Sequence, residues 1–146
     1  MSLFQKNFIW VKRFELSYPK VDDLVGIIKE KGPDCLIFKK DLKKAYRQIP
    51  ICPGDLHLVG FNWNNNLFVD RVLPMGLRSS AQICQRVTTA VCFIYYKMGY
   101  MAINYLDDFG GAETREKAQD AFDTLENLLK LCGLEESVEK NCKAFY

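Results

Sequence analysis

Three aspartates in this 146-residue sequence stand where a chain could bind metal ions. Asp107 and Asp108 are adjacent in "NYLDDFGG", and Asp41 ends the run "CLIFKKD". Adjacent carboxylates repel each other unless a cation offsets the repulsion. Hard oxygen ligands with incomplete coordination suit magnesium, and two such ions about 3.5 to 4 Å apart would activate a hydroxyl and stabilise a leaving pyrophosphate. These residue types therefore indicate metal-supported phosphoryl transfer.

The alternative is that the paired aspartates are solvated acids of an ordinary turn. Two features favour the metal site: the pair is flanked by "AINYL" and "FGG" instead of polar loop residues, and Asp41 is expected at the exposed end of a nearby strand. If Tyr105 and Asp108 close a two-residue turn, Leu106 occupies a position that favours asparagine or glycine. Backbone strain is then expected at Leu106, and such strain tends to persist at functional sites.

Apolar periodicity predicts the elements that position these acids. A short helix runs from Val21 to the stop at Gly32-Pro33, and a buried strand covers residues 35–41. A possible helical turn over 42–48 and a hairpin with asparagines at its tip come next. A helix over about 80–98 capped by Ser79 or Ser80, a strand "YMAINY", a helix opened by Thr114 and a short strand complete the order. We therefore expect an α+β domain with helices on one face of an antiparallel sheet.

Composition and charge limit the classes of partner and of metal site that this protein could have. The net charge of +2 indicates neither a nucleic-acid nor a membrane partner, although basic residues gather in 38–47 and acids in 113–139. Six cysteines without a CxxC pair, and a single histidine, exclude an ordinary zinc site, so reduced and mostly buried thiols are expected. Without a secretory signal or an 18-residue apolar run, we expect an intracellular protein of the cytoplasm or nucleus and no membrane partner.

Four segments together resemble the palm of reverse transcriptases of retroelements and retroviruses. "FKKDLKKAYRQIPI" is similar to the first aspartate motif of that family, "LPMGLRSSAQICQR" to its nucleotide-positioning motif, "INYLDDF" to its YxDD box, and "GLEESVEK" to the lysine-bearing segment after it. The resemblance covers about residues 15–142. It implies a single domain over 1–146, with partial fingers or a lead-in over 1–34, a palm over 35–146, and no thumb.

The resemblance also implies a role for each matching residue. Asp41 and Asp107 would bind two Mg²⁺ or Mn²⁺ ions, with Asp108 beside them and the Leu42 carbonyl as a further ligand. Lys140 would protonate the leaving pyrophosphate, although an exposed lysine is more often only solvated.

The remaining matching positions would contact nucleotide and nucleic acid. The N–H groups of Lys44 and Ala45 would cradle the triphosphate, and the Tyr46 ring would exclude a 2′-hydroxyl by its volume. Met75 and Gly76 would lie at the nucleotide. The residues expected at template or primer are Ser80, Gln85, Tyr105 and Leu106. Tyr46 and Ser80 also have structural readings, as a core tyrosine and a helix cap.

The resemblance leads to a catalytic interpretation. The chain would be the palm of an RNA-directed DNA polymerase, a nucleotidyltransferase that uses template RNA or DNA, a primer and deoxynucleoside triphosphates. Met75 and Ala81 depart from the residues that relatives commonly have, and the fingers, thumb and RNase H segments of a longer polyprotein would be missing. The alternatives are a non-catalytic or domesticated nucleic-acid-binding remnant and, less favoured because of Tyr46, a nucleotide cyclase.

Overall fold

A computed structural model describes residues 17–144, which form three α-helices and six strands. In chain order these are α1 Val21–Lys31, β1 Leu36–Asp41, β2 Gly60–Trp63, β3 Asn66–Val69, α2 Ser80–Lys97, β4 Ala102–Tyr105, β5 Asp108–Glu113, α3 Ala118–Leu131 and β6 Cys142–Ala144. Short 3₁₀ helices cover Ala45–Gln48, Pro53–Val59 and Val138–Lys140. The predicted lead-in over 1–34 is described only from residue 17.

Four strands form one antiparallel sheet in the order β4-β5-β1-β6. Strand β1 is therefore interior, with β5 on one side and β6 on the other. The register places Asp41 opposite Asp108, and β4 and β5 form a hairpin closed by Tyr105 and Asp108. The predicted α+β class with an antiparallel sheet is confirmed.

Side chains alternate between the two faces of the sheet, and each face has its own apolar cluster. Phe38 and Phe109 pack with α2 and α3 in the larger cluster, which includes the fully buried Tyr95 and Leu125. The two helices of the predicted palm thus share one face, as expected. Helix α1 packs on the opposite face through Ile27, against Ala112, Ile37 and Ile103.

Strand β5 carries a glycine where the Phe38 ring crosses it. A Cβ atom added to Gly111 would lie 2.8 Å from Cε2 of Phe38 and 2.9 Å from the carbonyl oxygen of Met101. Both distances are shorter than carbon atoms tolerate in packed interiors. Because Gly111 has no Cβ atom, the Phe38 ring can pack directly on strand β5.

Strands β2 and β3 form a separate two-stranded hairpin. Its tip residues Asn64 and Asn65 have φ of 48° and 58°, which confirms the expectation that asparagines adopt positive φ there. The Phe61 and Phe68 rings stack across the strands with centroids 5.6 Å apart. Every residue of the two strands is exposed.

Several sequence-based expectations need correction. Thr114 begins a turn whose carbonyl accepts from Lys117 N–H, and α3 starts only at Ala118, which is also the first buried residue of the helix. Asp41 is not at an exposed end: it is 5% exposed, since β1 is covered on both sides. The thiols are free, as expected, but they are not mostly buried. Three of the six are exposed: Cys52, Cys132 and Cys142.

None of the helices within residues 17–144 combines the length and apolar character needed to cross a membrane.

Candidate active site

The turn that carries the paired aspartates is held in an uncommon conformation. Tyr105 and Asp108 pair across the hairpin, and Leu106 has φ of 52°. This confirms the predicted strain, because the left-handed region costs a residue with a branched side chain roughly 1–2 kcal/mol. Gln85 of α2 holds the turn: its Oε1 accepts from Leu106 N–H at 2.8 Å and its Nε2 donates to the Asn104 carbonyl at 3.1 Å.

The backbones of the three aspartates meet at one rim of the sheet. Asp41 and Asp108 are register partners on neighbouring strands, and Leu42 N–H donates to the Asp107 carbonyl at 2.9 Å. The residue after Asp41 is thus bonded to the turn that carries Asp107. Within residues 17–144, however, no three acidic, histidine or cysteine side chains are already gathered into a metal-binding cluster.

Two lysines provide the cations that now face these carboxylates. The Lys140 nitrogen lies 3.1 Å from Asp41 Oδ1, and the Lys39 nitrogen lies 2.9 Å from Asp108 Oδ1. Both oxygens are buried, yet neither accepts a well-directed hydrogen bond from the described residues. Each of the two carboxylates is thus paired with a lysine at the rim.

Burial dominates the electrostatics of Asp41. Desolvation raises the pKa of Asp41 above its ordinary value of 3.8, and the neighbouring carboxyl group of Asp108 raises it further, while Lys140 opposes both effects. A carboxylate whose charged form is disfavoured by its surroundings gains from an added cation. The two acceptor oxygens and their acid-rich rim thus fit a hard divalent ion, which would have to compete with the two ammonium groups.

An open cleft of about 240 Å³ lies against Tyr46. Burial and then nearby charges, among them Asp107, raise the pKa of Tyr46, so the cleft and the rim are neighbours. The walls of the cleft are formed by Tyr46, Met75, Gly76, Leu77, Ser80 and Ala81. Gly76 has φ of 91°, so the loop before α2 needs a residue without a side chain there. The cleft brings together Tyr46, Met75 and Gly76, the residues predicted to surround a nucleotide.

The basic residues near the cleft differ in how far they are neutralised. Lys43 pairs with Glu135 at 2.7 Å and Arg47 with Asp70 at 2.8 Å. Lys44 has no acidic partner within the described part of the chain, and it adopts φ of 50° at the start of the 3₁₀ helix Ala45–Gln48. The N–H groups of Lys44 and Ala45 donate to no acceptor among residues 17–144. Of Lys43, Lys44 and Arg47, Lys44 is therefore the one whose charge no acid of the described residues neutralises.

Two residues predicted to face nucleotide or template are instead turned inward. Ser80 is 2% exposed, and its hydroxyl donates to the Pro74 carbonyl at 2.8 Å, so it fixes the loop and does not cap α2. Gln85 is 4% exposed because both ends of its amide are used by the hairpin turn. Tyr105, in contrast, is 53% exposed, with its ring 4.7 Å from that of Tyr18, and Leu106 is half-buried.

Sequence reasoning missed a polar network beneath Asp41. Lys40 is completely buried, its nitrogen 2.8 Å from Glu136 Oε2, and Asn141 accepts from Asp41 N–H at 3.2 Å. Strand alternation was the available signal, because it places Lys40 on the same face as Phe38. The partner glutamate could not be found this way, since it lies 96 residues away.

Comparison with known proteins gives a consistent result. The family model described as "Reverse transcriptase (RNA-dependent DNA polymerase)" matches residues 2–145. The Gag-Pro-Pol polyprotein of Sheep pulmonary adenomatosis virus is 32% identical over 110 residues, which cover 68% of this chain and 6% of the polyprotein. The chain thus spans only a small part of that relative.

Solved structures of foamy virus proteins share the fold. A foamy viral protease-reverse transcriptase in complex with double-stranded DNA has a TM-score of 0.74 at 17% identity, covering 90% of this chain and 22% of that one. Another, in complex with an RNA/DNA hybrid, has a TM-score of 0.64 at 21% identity, covering 76% of this chain and 15% of that one.

Proposed function

Since this chain belongs to the reverse transcriptase family, we propose that it is the catalytic palm of an RNA-directed DNA polymerase. It would transfer deoxynucleotides to a primer 3′-hydroxyl that is paired with an RNA or DNA template. The observation that carries this proposal is the meeting of Asp41 with Asp107 and Asp108 at one rim, where a buried oxygen of Asp41 and one of Asp108 face the ammonium groups of Lys140 and Lys39.

In such a reaction, each of the matching residues would have its own role. Asp41, Asp107, Asp108 and the Leu42 carbonyl would hold two divalent ions, magnesium or manganese. When bound, these ions would supply the charge that activates the primer hydroxyl and stabilises the leaving pyrophosphate. Lys140, whose nitrogen already lies 3.1 Å from Asp41, would donate a proton to that leaving group.

The cleft beside the rim would accept the nucleotide. Tyr46 forms one wall and Gly76 another, so a sugar would lie against an aromatic ring whose volume excludes a 2′-hydroxyl. Lys44 and the free N–H groups of Lys44 and Ala45 would face the triphosphate. Tyr105 and Leu106 would contact primer or template from the hairpin turn, and Gln85 would act on them only through that turn.

Primer extension tests this proposal. The chain, together with any reading frame that flanks it in its gene, is given a primed RNA template, deoxynucleotides and Mg²⁺ or Mn²⁺. We expect template-directed addition that Asp107→Asn reduces by about 10³-fold or more, the scale of losing a metal-held transition-state contact. Asp55→Asn, which removes an exposed charge on the 3₁₀ helix Pro53–Val59, should leave the rate unchanged.

Two outcomes would contradict the proposal. Full activity of Asp107→Asn would remove the metal role of the turn. Tight RNA binding by both variants without any synthesis would instead identify a non-catalytic nucleic-acid-binding remnant.

A further inference from the structure

A buried lysine lies directly before Asp41, on the opposite face of β1. Lys40 is 0% exposed, a position that lysine almost never occupies unless it is paired. Its nitrogen lies 2.8 Å from Glu136 Oε2, 3.3 Å from Glu126 Oε2 and 3.8 Å from the centre of the Phe122 ring. The fold thus places a positive charge beneath its acidic rim.

The charges around Lys40 cancel. Glu126 also binds Lys130 at 2.6 Å, so two lysines face two glutamates: Lys40, Lys130, Glu126 and Glu136. A buried ion pair of this kind is weak evidence for stability, because apolar residues of similar volume often stabilise a core as well or better. Stability alone therefore does not account for a lysine here.

Contacts lead from Lys40 back to Asp41 through the chain that follows α3. Glu136 Oε2 accepts from Asn141 Nδ2 at 2.8 Å, and Asn141 Oδ1 accepts from Asp41 N–H at 3.2 Å. Ser137 N–H donates to the Asp41 carbonyl at 2.8 Å. Both peptide groups of Asp41 are thus held by one segment, residues 135–141, and Glu136 anchors that segment to the core.

Lys140 lies between these anchors. Its backbone N–H donates to the Ser137 carbonyl at 2.9 Å, and its side chain, 63% exposed, returns to Asp41 Oδ1 at 3.1 Å. The start of the segment is also held at Glu135, whose carbonyl accepts from Lys43 N–H at 3.0 Å, and its end leads into β6, which pairs with β1. The bonds of Ser137 and Asn141 to Asp41 are the ones that flank Lys140.

We propose that Lys40 is a positioning residue, which sets the place of the Lys140 ammonium group by holding segment 135–141 through Glu136 and Asn141. The meaning of Lys140 rests on the proposed polymerase function. The coupling itself is a property of the fold, so it can be measured without nucleotide.

The test compares the whole chain with three variants. Lys40→Met leaves Glu136 unpaired, whereas Lys40→Met/Glu136→Met removes both charges at similar volume. Glu113→Gln is the matched control, because Glu113 is 3% exposed and pairs with Lys31 at 2.8 Å at the opposite end of β5. It should lower the melting temperature without reaching residues 135–141.

Two readouts follow the segment directly. Hydrogen exchange by NMR reports the N–H groups of Asp41 and Ser137, and the acylation rate of the Lys140 amine, relative to exposed Lys29, reports the ion pair with Asp41. We expect both to rise at least about fivefold in the single and the double Lys40 variants. They should stay at wild-type values in Glu113→Gln.

The double variant decides the matter even where Lys40→Met fails to fold. If exchange and acylation rise in a double variant that melts like the wild type, the Lys40–Glu136 pair positions the segment, and the same rise in Lys40→Met assigns that role to Lys40 itself. If both rates stay within twofold of the wild type, or rise equally in Glu113→Gln, the proposal is wrong.

Primer extension separates this proposal from the proposed function. In an active polymerase, the double variant should lower kcat with little change in KM for the nucleotide, because Lys140 acts on the leaving group. A wild type that does not extend a primer would refute the polymerase, and the exchange data would still decide the role of Lys40.

Discussion

The position of Asp41 in the sheet disfavours its charged form, whereas an exposed carboxylate would not be affected in this way. Its side chain is buried, it faces Asp108 of β5, and only Lys140 offsets these unfavourable effects. A raised pKa means that ionising Asp41 costs folding free energy. Residues held in unfavourable surroundings are common at catalytic sites.

Replacing Asp41 by asparagine should therefore stabilise the fold. Because the folded pKa lies above the ordinary value of 3.8, wild-type stability is lost as the pH rises from that value through the folded pKa. We expect Asp41→Asn to melt at a higher temperature at pH 7, and in a chain of this size each 1 kcal/mol of stability corresponds to about 2 to 4 °C. Below pH 3.8 the advantage should disappear. Thermal melting followed by circular dichroism over pH 3 to 8 measures it.

The exposed Asp55 provides the control, because Asp55→Asn should change the melting temperature little at any pH. A lower melting temperature of Asp41→Asn at pH 7 would show that the ion pair with Lys140 outweighs the burial of the carboxylate.

At the scale of elements, the β4–β5 hairpin depends on a side chain from α2. Gln85 accepts from the strained residue Leu106 and donates to Asn104, whose own amide donates to Thr88 at 2.8 Å. All of these polar groups except those of Leu106 are buried. The helix therefore adds to the pairing of Tyr105 with Asp108 in maintaining the conformation of the turn.

Gln85→Leu tests this dependence. The substitution keeps the size of the side chain but leaves the Leu106 N–H and the Asn104 carbonyl without partners, so we expect a loss of about 1–3 kcal/mol in the free energy of unfolding. Urea denaturation measures the loss, and exchange of the Leu106 amide should accelerate. Gln82→Leu, one turn earlier and half-buried, should cost far less. Equal losses for the two variants would contradict the role of Gln85.

The sequence predicted this hairpin because its signals are local. Tyr105 and Asp108 bracket two residues, one of which had to adopt positive φ, and the acids lie within the same eight letters. Gln85 and Lys40 were misread or missed because their partners are distant in sequence. Lysine and glutamine are mostly exposed residue types, so their identity alone suggests the surface. The sheet order, which the sequence does not give, shows that β1 has a strand on each side.

At the scale of the molecule, the apolar surface is unevenly distributed. The β2–β3 hairpin pairs with no other strand in residues 17–144, and its most exposed apolar side chains are Leu67 at 76% and Trp63 at 66%. A two-stranded hairpin is marginally stable in water unless another surface covers it. We therefore expect this hairpin to be a surface through which copies of the chain associate.

We expect Trp63→Ser/Leu67→Ser to reduce self-association of the isolated chain while leaving its melting temperature within about 2 °C of the wild type, because surface substitutions rarely cost more than 0.5 kcal/mol. Sedimentation velocity at increasing concentration measures the association. Leu131→Ser, at an isolated position on α3 that is 85% exposed, should have no such effect. If the hairpin variant self-associates as strongly as the wild type, self-association uses another surface.

The architecture as a whole was predictable, because helix and strand periods are strong in α2, α3 and β1. The placement of α1 on the other face of the sheet was not, because its apolar stripe in the sequence does not specify which face it will cover.

The contact between Phe38 and Gly111 limits how this protein can diverge. A larger residue at 111 would need the ring at 38 to shrink and the Met101 carbonyl to move aside at the same time. The two positions therefore share a fixed volume, and in an alignment of homologues a bulkier residue at one should accompany a smaller residue at the other.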